Sequence, residues 1–428
     1  MATEREVQIE RLLRRYREQL EQSLPEGPLD INEIEDLAGK LGQEVQRELT
    51  ERLVHEEVER EEGNQTACPC GGTARFRGRN PQVWVTAAGR IRVRRAYFYC
   101  AACGNGHCPA DLRLKLGTAN TTPTAQARLA VLAALVPYTQ VNDVLAQLGL
   151  PLSLDIKSTE QVAQHVGTQV QAAPPKPFGR AARSVALALD GVMLRTWDGK
   201  KETRCAVVYE PDWEAGRTPA AEAGLRKEYF ATTGSRESLV RAACGRAVAR
   251  CGPNALLAVV GDAAALDWVD LKTVLADKVA AWLEILDFYH VAERLGLIAA
   301  AMFPEEAADA TAWQQRLTKE LQTIGPWQLL RELRDWTPTD PDAQDLRREQ
   351  LNYFAGQQER MRYPEYLRRG LPIGSGAVEG ACKHLVSDRF RGSGMRWKLP
   401  TAEPLLHLRA ALLTQPRLDL RAYASAAA

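Results

Sequence analysis

The spacing of hydrophobic positions changes along the chain, and each change marks an element. Over residues 4–24 and 31–62 apolar residues recur every third or fourth position, as at Ile34, Leu37, Leu41, Val45, Leu49 and Leu53. That period predicts two long helices, parted at the PEGP turn, each with a narrow apolar stripe between charged faces. Such a stripe suits a self-association arm or a packed helix pair. VWVTAAGRIRVRRAYFY (83–99) alternates with period two and predicts a β-hairpin turning at Ala88–Gly89. Between 121 and 171 three short apolar helices follow one another, the last two joined by PLSLDIK, an arrangement that fits a helix-turn-helix-like unit. The Pro-rich stretch 172–183 reads as a linker.

Beyond the linker the pattern becomes strand-like. SVALALDGVMLRTW, TRCAVVYE and KEYFATT predict three strands, and SRESLVRAACGRAVAR a helix capped by Ser235. ALLAVVGDAA predicts a fourth strand ending at Asp262, and AAWLEILDFYH a fifth ending at Asp287 and leading into a helix with His290. Alternation of this kind is a mixed α/β layout, in which the first and fourth strands can be neighbours. Residues 300–370 are helical and charged, and read as an insertion before the last stretch, 371–428. There Gly374-Ser375-Gly376 suits a turn opening a helix, with Glu379 one turn in and Lys383 at i+4 on the same face.

Charge sharpens this division. The whole chain of 428 residues carries a formal net charge of +1, but residues 1–63 hold 18 acidic and 9 basic side chains. Residues 64–120 hold nine basic against one acidic, and residues 380–428 eight against three. Local basic segments of this kind suit nucleic acid. No apolar run reaches membrane-spanning length, and the charged N-terminus does not read as a secretory signal, so a cytoplasmic protein without a membrane partner is expected.

The nine cysteines fit metal binding in a reducing compartment better than disulfides. Cys68 and Cys70 form one knuckle, Cys100 and Cys103 another, and the hairpin brings the pairs together as a zinc ribbon does. The first knuckle is C-x-C, one residue shorter than usual, and His107 and Cys108 are near enough in sequence to replace a ligand. Alternation puts Arg90, Arg92 and Arg94 on one strand face, suited to a phosphate backbone or simply solvated. Lys383, Arg389, Arg391, Arg396 and Lys398 form a second set of candidate DNA contacts beside Glu379. A carboxylate among so many cations points to metal-assisted phosphodiester chemistry.

The motifs CPCGG…YFYCAACGNG, LDG, VVGDAA, LDFYH and GSGAVEGACKHLVSDRFRGSGMRW together resemble the DDE transposases of bacterial insertion sequences, most of all their Kra-type family. The resemblance implies a multi-domain protein: a helical arm (1–63), a zinc ribbon (64–120), a helix-turn-helix-like unit (121–171), a linker (172–183), and an RNase H-like α/β core. That core would comprise 184–299 and 371–428, interrupted by the helical insertion 300–370. It implies Asp190, Asp262 and Glu379 as a catalytic triad holding two Mg²⁺ or Mn²⁺ ions, with Asp287 and His290 as supporting residues. It also implies double-stranded DNA as substrate, cut at element ends and joined to target, and at least a dimer on DNA. AAALDWVDL after Asp262 departs from the aromatic, Asn-bearing stretch of that pattern. A nuclease without joining activity, a DNA-binding protein descended from such an enzyme, and a zinc-stabilised assembly protein are the competing readings.

Overall fold

The structure, a computed structural model, describes residues 4–24, 26–60, 63–116, 118–174, 181–211, 227–262, 268–276, 278–279 and 281–424. The chain divides into two compact units, Met1–Val170 with Asp419–Ala428, and Gln171–Leu418. Part of the linker and part of AAALDWVDL lie outside the described residues.

In the first unit α1 (Glu4–Ser23) and α2 (Ile31–Glu59) are the two long helices. Asp30 caps α2 in a reciprocal box with Glu33, which satisfies two otherwise orphaned amides. A four-stranded antiparallel sheet follows: β1 (Gln65–Ala67), β2 (Thr73–Thr86), β3 (Gly89–Cys100) and β4 (Gly106–His107). The β2–β3 turn is Ala87–Ala88, with Gly89 at φ 105, a left-handed position that favours glycine. One face of the hairpin buries Trp84, Ile91 and Val93 against Val54 and Val58 of α2.

α2 also meets the free edge of β3. Glu51 accepts from Arg92 N at 2.9 Å, and His55 Nε2 donates to Arg92 O at 2.9 Å. The expected arm is therefore docked on the ribbon along its C-terminal half, and the division at residue 63 runs through one shared core. The period-3.6 stripe could not reveal this, because it does not say which surface it meets. After α3 (Pro109–Arg113), the helical set is α4 (Pro123–Leu135), α5 (Val141–Gln147) and α6 (Ile156–Ala172). The α5–α6 connection runs from Leu148 to Asp155, longer than the roughly three or four residues of a helix-turn-helix. Asn142 pins it, donating to Leu154 O at 2.9 Å and accepting from Leu154 N at 3.2 Å.

The second unit is mixed α/β around a five-stranded sheet in the order β7-β6-β5-β8-β9. Its strands are β5 (Ala182–Thr196), β6 (Gly199–Tyr209), β7 (Glu228–Thr232), β8 (Cys251–Gly261) and β9 (Ala281–Leu286), with α7 (Arg236–Arg250) before β8 and α8 (Trp268–Leu275) before β9. β5 runs antiparallel to β6 and parallel to β8, so the first and fourth strands are neighbours. Val185, Leu187 and Leu189 pack with Leu239, Val240 and Ala243 of α7 on one face. This layout is compatible with an RNase H-like core.

A helical stretch follows β9: α9 (Phe288–Met302), α10 (Ala307–Thr323), α11 (Trp327–Asp335), α12 (Pro341–Gln357) and α13 (Tyr363–Arg368). It returns to the sheet where it left. Tyr363 OH donates to Leu286 O at 3.0 Å, Tyr366 OH to Glu284 O at 3.3 Å, and Arg360 pairs with Glu284. The chain closes with α14 (Gly376–Ala381), a π-helical turn (Cys382–Ser387), α15 (Asp388–Phe390) and α16 (Leu399–Thr414). Among the described residues no helix is long and apolar enough to cross a membrane.

Candidate functional site

Two donor sets stand out, one in each unit. In the first, the ligand atoms of Cys68, Cys70, Cys100 and Cys103 all lie within 4.8 Å of one another. The Cys68–Cys103 and Cys70–Cys100 sulfurs are each 3.7 Å apart. A tetrahedral zinc with bonds of about 2.3 Å needs sulfurs about 3.8 Å apart, so the four residues fit that ion. A Cβ at Gly72 would meet Cys100 Sγ at 3.3 Å and Cys70 Sγ at 3.4 Å, so the bare glycine leaves room for the cluster. The Cys103 backbone N–H draws the Cys100 thiol down to about 7. Cys68 also receives a backbone N–H, from Cys70, yet burial and the other three sulfurs push it up to about 12. The shorter first knuckle thus supplies both of its thiols, and His107 and Cys108 are not needed to complete the set. Arg90, Arg92 and Arg94 lie exposed on the hairpin face opposite Ile91 and Val93.

In the second unit Asp190 lies on central strand β5, opposite Cys205 of β6. Asp262 directly follows β8, the parallel neighbour of β5. Burial, opposed by a 2.7 Å hydrogen bond from Gly191 N, raises the Asp190 carboxyl, and the charges of Asp262 and Asp287 raise it further. These acidic groups therefore share one electrostatic neighbourhood. Glu379 is exposed on α14, where Ser375 Oγ donates to its Oε1 at 2.7 Å.

Asp287 connects these pieces. It is 6% exposed and caps α9 by accepting from Tyr289 N at 3.1 Å. The same Oδ1 accepts from Ser375 N at 3.0 Å, across 88 residues of sequence. Phe288 N donates to Ile373 O at 2.9 Å beside it, so the start of the Glu379 helix is pinned to the end of β9. Three residues past Glu379, Cys382 Sγ donates to Asp190 Oδ2 at 3.7 Å. Contact with Cys205, burial and the Asp190 charge all raise the Cys382 thiol, which keeps it a neutral donor. The Glu379 helix is thus tied at one end to Asp287 and at the other to Asp190. Among the described residues, the three carboxylates do not form a set within 4.8 Å as the sulfurs do.

His290 lies on α9, one turn before Arg294. Arg294 Nε donates to His290 Nε2 at 3.1 Å, which puts the imidazole proton on Nδ1, and Arg294 Nη1 donates to Gln350 at 3.0 Å. The Arg294 guanidinium also lies 3.9 Å from the Tyr353 ring centroid. Arg294 stands four residues after His290, a spacing that could have flagged it. Ser375, Cys382 and Cys205 had no such signal.

Two expectations for the last stretch are corrected. Arg389 is 2% exposed, its guanidinium 5.2 Å from the centroid of the Trp397 ring, so it is core rather than an open DNA contact. Its neighbours Lys383, Arg391, Arg396 and Lys398 are exposed. The helix after Glu379 also does not continue as α. Residues Cys382–Ser387 form a π turn, so Lys383 does not follow Glu379 in simple α register. Arg409 of α16 steadies that turn, donating to Leu385 O at 2.8 Å and to His384 O.

No family model and no curated protein matches the chain. Among solved structures, it is similar to a transposase in the Drosophila P element transposase strand transfer complex, at 10% identity and a TM-score of 0.34. That likeness covers 69% of this chain and 92% of the other, and is too distant to carry a functional argument.

Proposed function

We propose that the chain is a DNA transposase that cuts element ends and joins them to target DNA, with Asp190, Asp262 and Glu379 as its catalytic residues. The observation that carries this reading is the double tether of the Glu379 helix, to Asp287 at Ser375 and to Asp190 at Cys382. Such bracing would set Glu379 beside Asp190, in mid-strand on β5, and Asp262, at the end of the parallel strand β8. The motif resemblance supports the same residues. Asp190, Asp262 and Glu379 would hold Mg²⁺ or Mn²⁺, hard ions that take oxygen ligands and supply activation of the attacking oxygen and charge stabilisation of the leaving one. The protein's own part is orientation. Gly191 N–H and the Cys382 thiol each hold one oxygen of Asp190, while Ser375 Oγ holds one oxygen of Glu379 and leaves the second for an ion.

In this reading the cysteine-bound ribbon is a structural zinc module that contacts DNA through Arg90, Arg92 and Arg94, and the enzyme works as at least a dimer. Glu379→Gln, Asp190→Asn and Asp262→Asn each remove a charge at nearly constant shape. Each is expected to abolish cleavage and joining of a supercoiled plasmid carrying element ends, in Mg²⁺ or Mn²⁺, while DNA binding persists. Full activity of Glu379→Gln sinks the three-carboxylate assignment. Cleaved ends without joined products would assign a nuclease instead.

A further inference from the structure

The hairpin joining β5 to β6 ends in an exposed tryptophan that the proposed chemistry does not use. Trp197 and Asp198 form its two-residue loop, with Thr196 paired to Gly199 and Thr196 Oγ1 donating to Gly199 O at 2.9 Å. Trp197 is 63% exposed. A large aromatic left mostly in water at a tight turn adds little to folding, because most of its apolar area is not buried.

The tip is tied to a second segment. Trp197 N donates to Trp397 O at 3.3 Å and Trp397 N to Arg195 O at 3.1 Å, which ties the hairpin to the basic stretch after the Glu379 helix. Trp397 itself is buried, its ring 4.6 Å from that of Phe390 and its Nε1 donating to Phe390 O at 3.0 Å. This anchoring brings cations to the exposed ring. Arg396 places its guanidinium 5.9 Å from the Trp197 centroid. Arg195, Lys200, Lys201 and Lys398 are exposed around the same tie. None of these five cations is ion-paired with a described residue, and the turn's own acid is Asp198.

We infer that this tip is a DNA platform on which Trp197 stacks against an unpaired base while Arg195, Lys200, Lys201, Arg396 and Lys398 hold the flanking phosphates. The inference rests on the transposase reading for its substrate, but on separate residues. An aromatic face accepts any base, and cations track the backbone, so the pairing suits single-stranded or distorted DNA more than intact duplex. Trp197 lies seven residues beyond Asp190, just past the end of β5, about 23 Å at roughly 3.3 Å per residue. That is the length of about seven nucleotides at the duplex spacing of about 3.4 Å. DNA bound at Asp190 and running along β5 would therefore meet the ring several nucleotides from the reacting phosphate.

The test uses the full chain carrying Asp190→Asn, so that DNA is not cut, and a duplex with a single extrahelical 2-aminopurine beside an intact control. The expected result is preference for the distorted duplex and quenching of 2-aminopurine. Trp197→Ala should lose the quenching and about tenfold in affinity for the distorted duplex, while Trp197→Phe keeps most of both. Arg396→Ala should lower the slope of log affinity against log salt by about one. Should Trp197→Ala fail to fold, judged by thermal unfolding, the surface pair Lys200→Glu and Lys201→Glu must weaken binding instead. Unchanged affinity and quenching in a folded Trp197→Ala protein, or in the charge-reversed pair, overturns the platform. Neither result bears on Glu379→Gln, whose cleavage assay judges the catalytic reading separately.

Discussion

The four sulfurs of the first unit and the acidic residues around Asp190 in the second are both drawn from distant stretches, yet they are held differently: among the described residues the sulfurs converge within 4.8 Å and the carboxylates do not. Cys68, Cys100 and Cys103 pack in a small apolar cluster with Ala74, Ala96 and Phe98, and the exposed Cys70 completes the set. Thiols pack as small apolar groups even where, as at Cys100, a backbone N–H draws the value down to about 7. Carboxylates are charged there, and like charges resist convergence. The second unit holds its acids one at a time instead, with a backbone N–H on Asp190, a hydroxyl on Glu379 and two backbone amides on Asp287. Polarisable thiols can be gathered largely by packing, whereas carboxylates need a scaffold that holds each member in place.

Metal removal should separate the two sets most sharply. Structural zinc contributes about 10–16 kcal/mol of folding free energy in small modules. A strong chelator, or Cys100→Ser, is expected to release about one zinc per chain and open residues 64–110 to protease. The second unit has its own core around β5 and α7, so its unfolding midpoint should hardly move. Protection of 64–110 in the metal-free protein would refute the sulfur site, and collapse of both units together would remove the contrast.

The scaffold of the acids is tested at Asp287. Asp287→Ala leaves two backbone amides without their acceptor, one of them an N-cap bond. The expected cost is about 2–4 kcal/mol, a lost cap plus a buried unsatisfied donor, read by denaturant unfolding. Cleavage should fall with it. Asp287→Asn retains an acceptor oxygen and should recover most of the stability. If it recovers stability but not cleavage, the Asp287 charge itself contributes to the chemistry.

A smaller effect is expected at Arg389. Arg389→Ala removes a buried guanidinium over Trp397 and should destabilise the second unit by about 1–3 kcal/mol. Arg391→Ala, at an exposed position, should stay within about 0.5 kcal/mol while weakening DNA binding. Equal stability of the two variants would return Arg389 to the surface set.

A further effect concerns Glu403, the carboxylate that joins α16 to the end of β7. Burial would raise it, but donors from His407, Thr232 and Thr233 hold it down at about 2, below its ordinary 4.5. A depressed carboxyl stabilises the fold above its unfolded value and loses that contribution as pH falls through its folded one. The second unit should therefore weaken between about pH 4.5 and pH 2. Glu403→Gln should flatten that dependence in unfolding measured against pH. An unchanged profile would show that the α16–β7 contact does not depend on the charge.

The sequence by itself determined the elements and the chemistry they carry. Period 3.6 marked α1 and α2, period two marked the β2–β3 hairpin, and the near-continuous apolar runs of β5 and β8 marked buried strands. The two knuckles announced the sulfur set, and Gly374-Ser375-Gly376 announced the start of the Glu379 helix. These signals are local, because backbone geometry repeats over a few residues. The tertiary structure alone decided what those elements meet. It docked α2 on the edge of β3, buried Arg389 under Trp397, wound Cys382–Ser387 into a π turn, tied Ser375 to Asp287, and left Trp197 in solvent. Most of these outcomes depend on contacts between residues tens of positions apart or more, and even the Arg389–Trp397 contact joins two separate segments. Burial and partner choice are properties of such contacts, and a local repeat carries no information about them.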